Sequence, residues 1–277
     1  MGSKKAHFYI DHAPPDGVRQ ILKVLPMDNG ATIEEIGLAV PSSGSAKFRS
    51  EWPKRLADLG LAIAEKRQGV LLYRISPLGA RIRHFEMTDP SLIPDLLHYL
   101  HSNWDPNGQC VEYLWSYHTC CQIAWREKRL LDTGEIASQV LDFMRQNFPD
   151  LDYQARVGAR FDKTAVGRWL QWVKTLEPSP FPDGVKVLQP RSILRYELAL
   201  LALDRIYRTL GYRYGDPVLL DDALLDQIAA VFFLDLNCCR ALLDVAARLT
   251  HVIRLTDTFA GTSITLLEPY TIERISC

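Results

Sequence analysis

The clearest pattern of apolar and polar positions runs over residues 32–83. Ile33, Ile36 and Val40 fall on one face of a helical repeat. Thr32-Ile33-Glu34-Glu35 ahead of them reads as a capping box, in which Thr32 and Glu35 satisfy each other's backbone N–H. Pro41-Ser42-Ser43-Gly44 ends that helix, and Ser45 is placed to cap the next. Phe48, Trp52, Leu56 and Leu59 give the second helix its apolar stripe, with Lys47, Ser50 and Lys54 off it. Gly60 suits the left-handed position that closes a helix. Residues 61–66 and 70–75 are strand-like runs around Arg67-Gln68-Gly69, a hairpin signal, and Ser76-Pro77 opens a further helix. Phe48, Trp52, Leu59, Ile63 and Leu72 are expected to share one core. Pro53 interrupts the pattern. Either it kinks a helix that starts at Ser45, or the regular helix begins near Pro53 and residues 45–52 form an irregular lead.

Beyond residue 86 the periodicity is helical. Leu92, Leu96, Leu97 and Leu100 mark one helix, and Asp105-Pro106-Asn107-Gly108 a turn. Residues 111–131 read as a long buried helix, and Ile136, Val140, Leu141 and Met144 mark another that ends at Phe148-Pro149. The last third repeats the first pattern. Residues 221–234 and 238–250 read as helices, with Asn237 capping the second, and 252–256 and 262–267 as strands around 257–261. A middle copy would use 164–176 as its helix, 185–188 as its second strand and Pro190 to open the next helix. The expected fold class is mainly α with short β-hairpins (α+β). The expected organisation is a helix-turn-helix and hairpin module over 1–88, a helical region over 89–150, and further such modules over 151–215 and 216–277.

The stretch Lys54-Arg55-Leu56-Ala57-Asp58-Leu59-Gly60-Leu61, followed by Leu72-Tyr73-Arg74-Ile75-Ser76-Pro77-Leu78-Gly79, resembles the recognition-helix end and wing of MarR- and PadR-type regulators. The segment as a whole, about 60 residues, resembles the winged helix-turn-helix DNA-binding superfamily. The resemblance implies that the second helix of the motif enters the major groove and that the hairpin, or wing, approaches the flanking backbone. In architecture the chain is also similar to multi-winged-helix accessory proteins of prokaryotic phage-defence systems.

Charge sharpens the picture locally. The whole chain carries 32 Lys and Arg against 33 Asp and Glu, so it is no polycation. Residues 46–83, however, hold nine Lys or Arg against Glu51, Asp58 and Glu65. Residues 156–195 hold eight against Asp162, Glu177 and Asp183, whereas residues 204–277 hold seven against ten. Clustered positive charge is the footprint of phosphate binding. The candidate DNA contacts are therefore Ser43, Ser45, Lys47, Arg49, Ser50, Lys54 and Arg55 on the motif, Lys66 and Arg67 on the hairpin, and Lys163, Arg168 and Lys174 in the second basic segment. The acidic last module, with Asp221, Asp222, Asp226 and Asp235, is expected to face a protein, either a partner or a second copy.

Other chemistry is weak. His98, His101, Cys110, His118, Cys120 and Cys121 lie close in sequence, but no Cys-x-x-Cys or His-Glu-x-x-His spacing occurs, so no metal site is expected. Trp104, Tyr113, Trp115, Tyr117, Trp125, Trp169 and Trp172 sit at spacings that fit a core better than base stacking. No phosphate-binding glycine loop and no catalytic set is present, so neither an enzyme nor a cofactor is expected. Adjacent cysteine pairs, no apolar leader and no apolar run of membrane-spanning length point to a cytoplasmic protein. The function expected is a non-catalytic double-stranded-DNA-binding subunit of a prokaryotic multi-protein system such as phage defence. The alternatives are a dimeric operator-binding transcription regulator and a winged-helix adaptor that binds protein.

Overall fold

A computed structural model describes residues 8–10, 14–40, 51–104, 112–149, 161–192, 195–259 and 261–276. Eleven α-helices and two small antiparallel sheets occur among them, an α+β architecture dominated by helix. The chain divides into two compact units, residues 11–100 and residues 1–10 with 101–276. No helix among the described residues is long and apolar enough to cross a membrane.

In the unit 11–100, α1 (Pro15–Val24) is followed by α2 (Ile33–Ala39), α3 (Trp52–Asp58), β1 (Ala62–Arg67), β2 (Val70–Ile75), α4 (Pro77–Thr88) and α5 (Ile93–Ser102), which reaches the boundary. The capping box forms as expected: Glu35 N–H donates to Thr32 Oγ1 and Thr32 N–H to Glu35 Oε2. Pro53 sits in the first turn of α3, where its missing N–H costs no intrahelical bond, so the regular helix begins there. Ser43, Ser45, Lys47, Phe48, Arg49 and Ser50, with the expected cap at Ser45, lie outside the described residues.

The hairpin pairs Ala62 with Ile75 and Ala64 with Tyr73. That register turns Tyr73 and Ile75 into the core beside Trp52, Leu56, Leu59 and Leu61. Ile63 and Leu72, expected inside, are only half-buried, because side chains alternate across a strand. Ala31 makes a further one-residue antiparallel bridge to Tyr73. Two glycines permit close approach. A Cβ on Gly17 would lie 2.5 Å from the Trp52 ring, and one on Gly79 would lie 2.0 Å from the Leu61 carbonyl oxygen.

One ion pair closes this unit. Arg19 donates to both Glu86 carboxylate oxygens at 2.9 and 2.7 Å, and Lys23 approaches at 3.1 Å. Burial pushes the Glu86 pKa up, but the hydrogen bonds from Arg19 and Lys23 outweigh it and leave the carboxyl below its usual value. A depressed carboxylate stabilises the fold above its unfolded pKa, near about 4.3, and stops doing so as pH falls through its folded pKa. Glu86→Gln should therefore lower stability at neutral pH by about 1–2 kcal/mol. It should also flatten the loss of stability below about pH 4. Thermal unfolding of both proteins at neutral and acid pH checks this.

The second unit contains α6 (Glu112–Glu127), α7 (Thr133–Asn147), α8 (Lys163–Val173), α9 (Tyr196–Leu210), β3 (Pro217–Leu219), α10 (Asp222–Ala230), α11 (Leu236–Leu249), β4 (Ile253–Thr258) and β5 (Gly261–Leu266). Every residue of α9 from Glu197 to Tyr207 is buried, so this helix is the centre of the unit rather than an amphipathic surface helix. Its buried carboxylates are satisfied: Glu197 by Arg195, and Asp204 by Arg208, the Tyr214 hydroxyl and the Tyr270 N–H.

Three expectations change here. Residues 185–188 form no hairpin strand. Val187 makes a single bridge to Arg129, and Leu188 N–H donates to the Lys128 carbonyl, so this run hydrogen-bonds back to the end of α6. Pro190 opens no helix, since α9 starts at Tyr196. The cap of α11 is Asp235, which accepts from Asn237 N–H and Cys238 N–H, and Asn237 is the donor. The C-terminal hairpin also gains an unexpected strand, β3, which pairs with β5 to give the order β3-β5-β4.

The two ends of the chain thus share one element order. In residues 15–75 it is helix, one bridging residue, helix, helix and hairpin, with Ala31 bridging the second hairpin strand. In residues 196–266 it is helix, β3, helix, helix and hairpin, with β3 paired to the second hairpin strand.

Candidate nucleic-acid interface

The first module offers cations from two elements. Lys54 is exposed on α3 and Lys66 is exposed near the tip of the β1–β2 hairpin; neither has an ion pair among the described residues. Arg55 lies beside Lys54 but holds Asp58 at 2.9 Å, one turn along the helix. Arg67 holds Glu65 at 2.9 Å, and both ends of that pair are about half exposed. The hydrogen bond from Arg67 lowers the Glu65 carboxyl below its usual value and raises the guanidinium above its own. Exposed pairs of this kind are weak and exchange readily for another anion. Gln68 and Gly69 both adopt positive φ at the hairpin tip, which lets two strands turn in two residues and leaves Lys66 and Arg67 beside solvent.

The second basic segment is arranged differently. Arg191 is fully buried and its guanidinium donates to the carbonyls of Glu177, Pro178 and Phe232. Arg195 binds Glu197 and the Ser276 carbonyl. Arg168 stacks 4.8 Å over the Tyr9 ring and donates to the Ile10 carbonyl. Lys174 pairs with Asp183 at 2.6 Å, and Lys186 with Asp132 at 3.1 Å. Of the candidate contacts in this segment, Lys163 is exposed at the first turn of α8 with no ion pair among the described residues.

The acidic count of the last module is also partly structural. Asp221 caps α10, Asp235 caps α11, and Asp226 accepts from the Trp125 indole at 3.0 Å. Asp222 is exposed, as is Asp221, and lies 3.9 Å from the Arg240 guanidinium. On the helix and hairpin that match α3 and β1–β2 in order, the exposed side chains include Val245 and Leu249, and Phe259 is fully exposed at the tip.

The remaining candidates are dispersed into the interior. Cys120 and Cys121 are buried thiols whose pKa values burial pushes up, that of Cys121 to about 12. The His101 ring lies 4.2 Å from that of Trp172, and Trp169 donates to Cys121 Sγ. No group of three metal-binding side chains assembles among the described residues, and Cys110 lies outside them. Tyr113, Trp115, Tyr117, Trp125, Trp169 and Trp172 are buried, so they pack the core and present no face to a base.

Comparison with models of known families, with characterised proteins and with solved structures found no match.

Proposed function

We propose that this chain binds double-stranded DNA through a winged-helix module over residues 15–88, with α3 directed to the major groove and the β1–β2 hairpin acting as the wing. The observation that carries this reading is the shared order of elements with cations at its two working positions. Lys54 on α3 and Lys66 by the hairpin tip are exposed and have no ion pair among the described residues, while Arg55 and Arg67 beside them hold Asp58 and Glu65. A helix for the groove and a wing for the backbone need positive charge at those two places. The residues 196–266 repeat the order, and there the equivalent helix and tip carry Val245, Leu249 and Phe259 instead. The chain therefore fits a non-catalytic DNA-binding subunit that holds DNA through its first module and a protein through its last. The testing experiment is fluorescence anisotropy of the full chain with a random-sequence duplex at low salt. Saturable binding supports the reading, and its absence removes it.

A second proposal concerns the protein end, and its specific support is Phe259. A phenylalanine wholly in water at a hairpin tip leaves its apolar area unburied, and such aromatics are the usual anchors of interfaces. The occupant proposed is a protein, and self-association is the case that can be tested on this chain alone. Phe259→Asp with Leu249→Asp should weaken self-association at least about tenfold in sedimentation velocity, while leaving duplex affinity unchanged. A sedimentation profile identical to that of the unaltered chain would remove the second copy as occupant.

A further inference from the structure

The last module carries an open groove of about 480 Å³ between α11 and β4 that the DNA reading does not use. Asp244 and Arg248 line it from α11, one turn apart and so on one helical face. Ile253, Arg254 and Leu255 line it from β4. In the order β3-β5-β4 the strand β4 is an edge, with β5 on one side and no strand on the other among the described residues. An edge strand presents unpaired N–H and C=O groups, a template for another extended chain.

The register shows which groups those are. Leu267 N–H donates to the Val252 carbonyl at 2.8 Å, and hydrogen-bonded and non-hydrogen-bonded pairs alternate along an antiparallel ladder. Arg254 and Thr256 therefore bond to β5, while the backbone N–H and C=O of Ile253 and Leu255 point to the open side. The carbonyls of β5 agree with this phase: those of Thr262 and Leu266 are turned away from β4 and accept from Leu220 N–H and Gly215 N–H. Charge is the second observation. Arg248 and Arg254 are exposed and have no ion pair among the described residues. His251, also exposed, lines the groove with them, and Asp244 is its one carboxylate.

We propose that this groove takes an extended acidic segment of a partner protein, which adds a strand to the open edge of β4 and sets its carboxylates against Arg248 and Arg254. A strand edge alternates donors and acceptors, and another peptide backbone matches both, whereas a phosphate backbone supplies acceptors alone. That favours a protein segment over nucleic acid. The exposed arginines then select the segment by charge, since a guanidinium holds a carboxylate at two points. The proposal rests on the last module being the protein-binding one, and it names the chemistry of the partner.

Fluorescence anisotropy on the full chain tests this with a labelled peptide of alternating threonine and glutamate, about eight residues long, and its counterpart with glutamine for glutamate. The expected result is saturation by the acidic peptide with a Kd below about 1 mM, and binding of the neutral one at least about tenfold weaker. Arg248→Gln together with Arg254→Gln should weaken the acidic peptide about tenfold, and because both side chains are exposed the fold is kept. Strand addition has its own signature. Every second amide of an added strand faces β4, so of two peptides methylated on alternate amide nitrogens, one in each phase, at least one should bind about tenfold more weakly. Phe259 lines no part of the groove, so Phe259→Asp should leave the peptide affinity unchanged, and the self-association test and this one fail separately. The proposal is overturned if the acidic peptide does not saturate or if the two peptides bind equally. It is also overturned if the arginine double variant, or both methylated peptides, keep the parent affinity. Displacement of the peptide by a random-sequence duplex would give the groove to nucleic acid instead.

Discussion

Alanine at Gly79 should destabilise the unit 11–100 by at least about 3 kcal/mol. The first turn of α4 is clamped onto the turn between α3 and β1. The Ser76 hydroxyl donates to the Gly60 carbonyl, Ser76 N–H donates to the Leu61 carbonyl, and Gly79 N–H donates to Ser76 Oγ. This brings the Gly79 α-carbon so close that a methyl group would lie 2.0 Å from the Leu61 oxygen and 2.9 Å from Ile75 Cγ1. The first of these is backbone, so no rotamer change relieves it. Either α4 lifts off the hairpin or three hydrogen bonds break. For a unit of this size the midpoint should fall by more than about 12 °C. Gly167 within α8 is the control, because a Cβ there meets nothing within 4 Å. Alanine at that position should be neutral or stabilise by about 0.5–1 kcal/mol, since it removes backbone freedom from the unfolded chain. Thermal unfolding followed by circular dichroism separates the two, and an unchanged midpoint for Gly79→Ala would mean that α4 does not sit on the hairpin as described.

Gly79 also illustrates what the sequence could carry. Local chemistry was legible: Thr32 and Glu35 form their capping box, Ser76-Pro77 starts α4, and the hairpin turns at Gln68-Gly69. Each of these depends on residues within a few positions of one another. Contacts set by the whole fold were not. Ala31 and residues 217–219 pair with hairpin strands, but one residue and three residues are too short for any alternation to be read. Residues 185–188 alternate like a strand, yet their hydrogen bonds go to 128–130, far away in sequence.

The charge count failed in the same way. Arg191 adds to the second basic segment in the sequence, but the fold turns it inward, where it donates to the carbonyls of Glu177, Pro178 and Phe232. Asp221 and Asp235 add to the acidic module, but their charge is engaged at helix N-termini, where the helix dipole favours it. A net charge over a stretch of sequence says nothing about which of its members face solvent. For the candidate site, Lys54 and Lys66 kept the exposure that the sequence suggested, while Arg168 and Lys174 acquired partners within the chain.

The largest functional effect is expected from Lys54 and Lys66 replaced together by alanine. Each neutralised phosphate releases counterions, so the logarithm of the binding constant falls with the logarithm of salt by about 0.9 per contact. Lys54 and Lys66 have no ion pair among the described residues, and a duplex takes them without breaking an internal contact. Arg55 and Arg67 must first leave Asp58 and Glu65, which reduces their gain. The lysine pair should therefore carry more of the slope than the arginine pair. Because phosphate contacts carry no base code, the double variant should lose affinity by a similar factor on every sequence tested. Unfolding curves that match the unaltered chain must accompany the result, and both lysines are exposed enough for that to hold.

The salt slope of duplex binding, measured on the full chain with and without Lys54 and Lys66, is the most direct test of the DNA reading. The expected result is a negative slope for the unaltered chain that becomes shallower by about 2 in the double variant. A slope that is the same in both proteins would place the phosphate contacts elsewhere, and a binding constant that does not change with salt would contradict DNA binding by this module altogether.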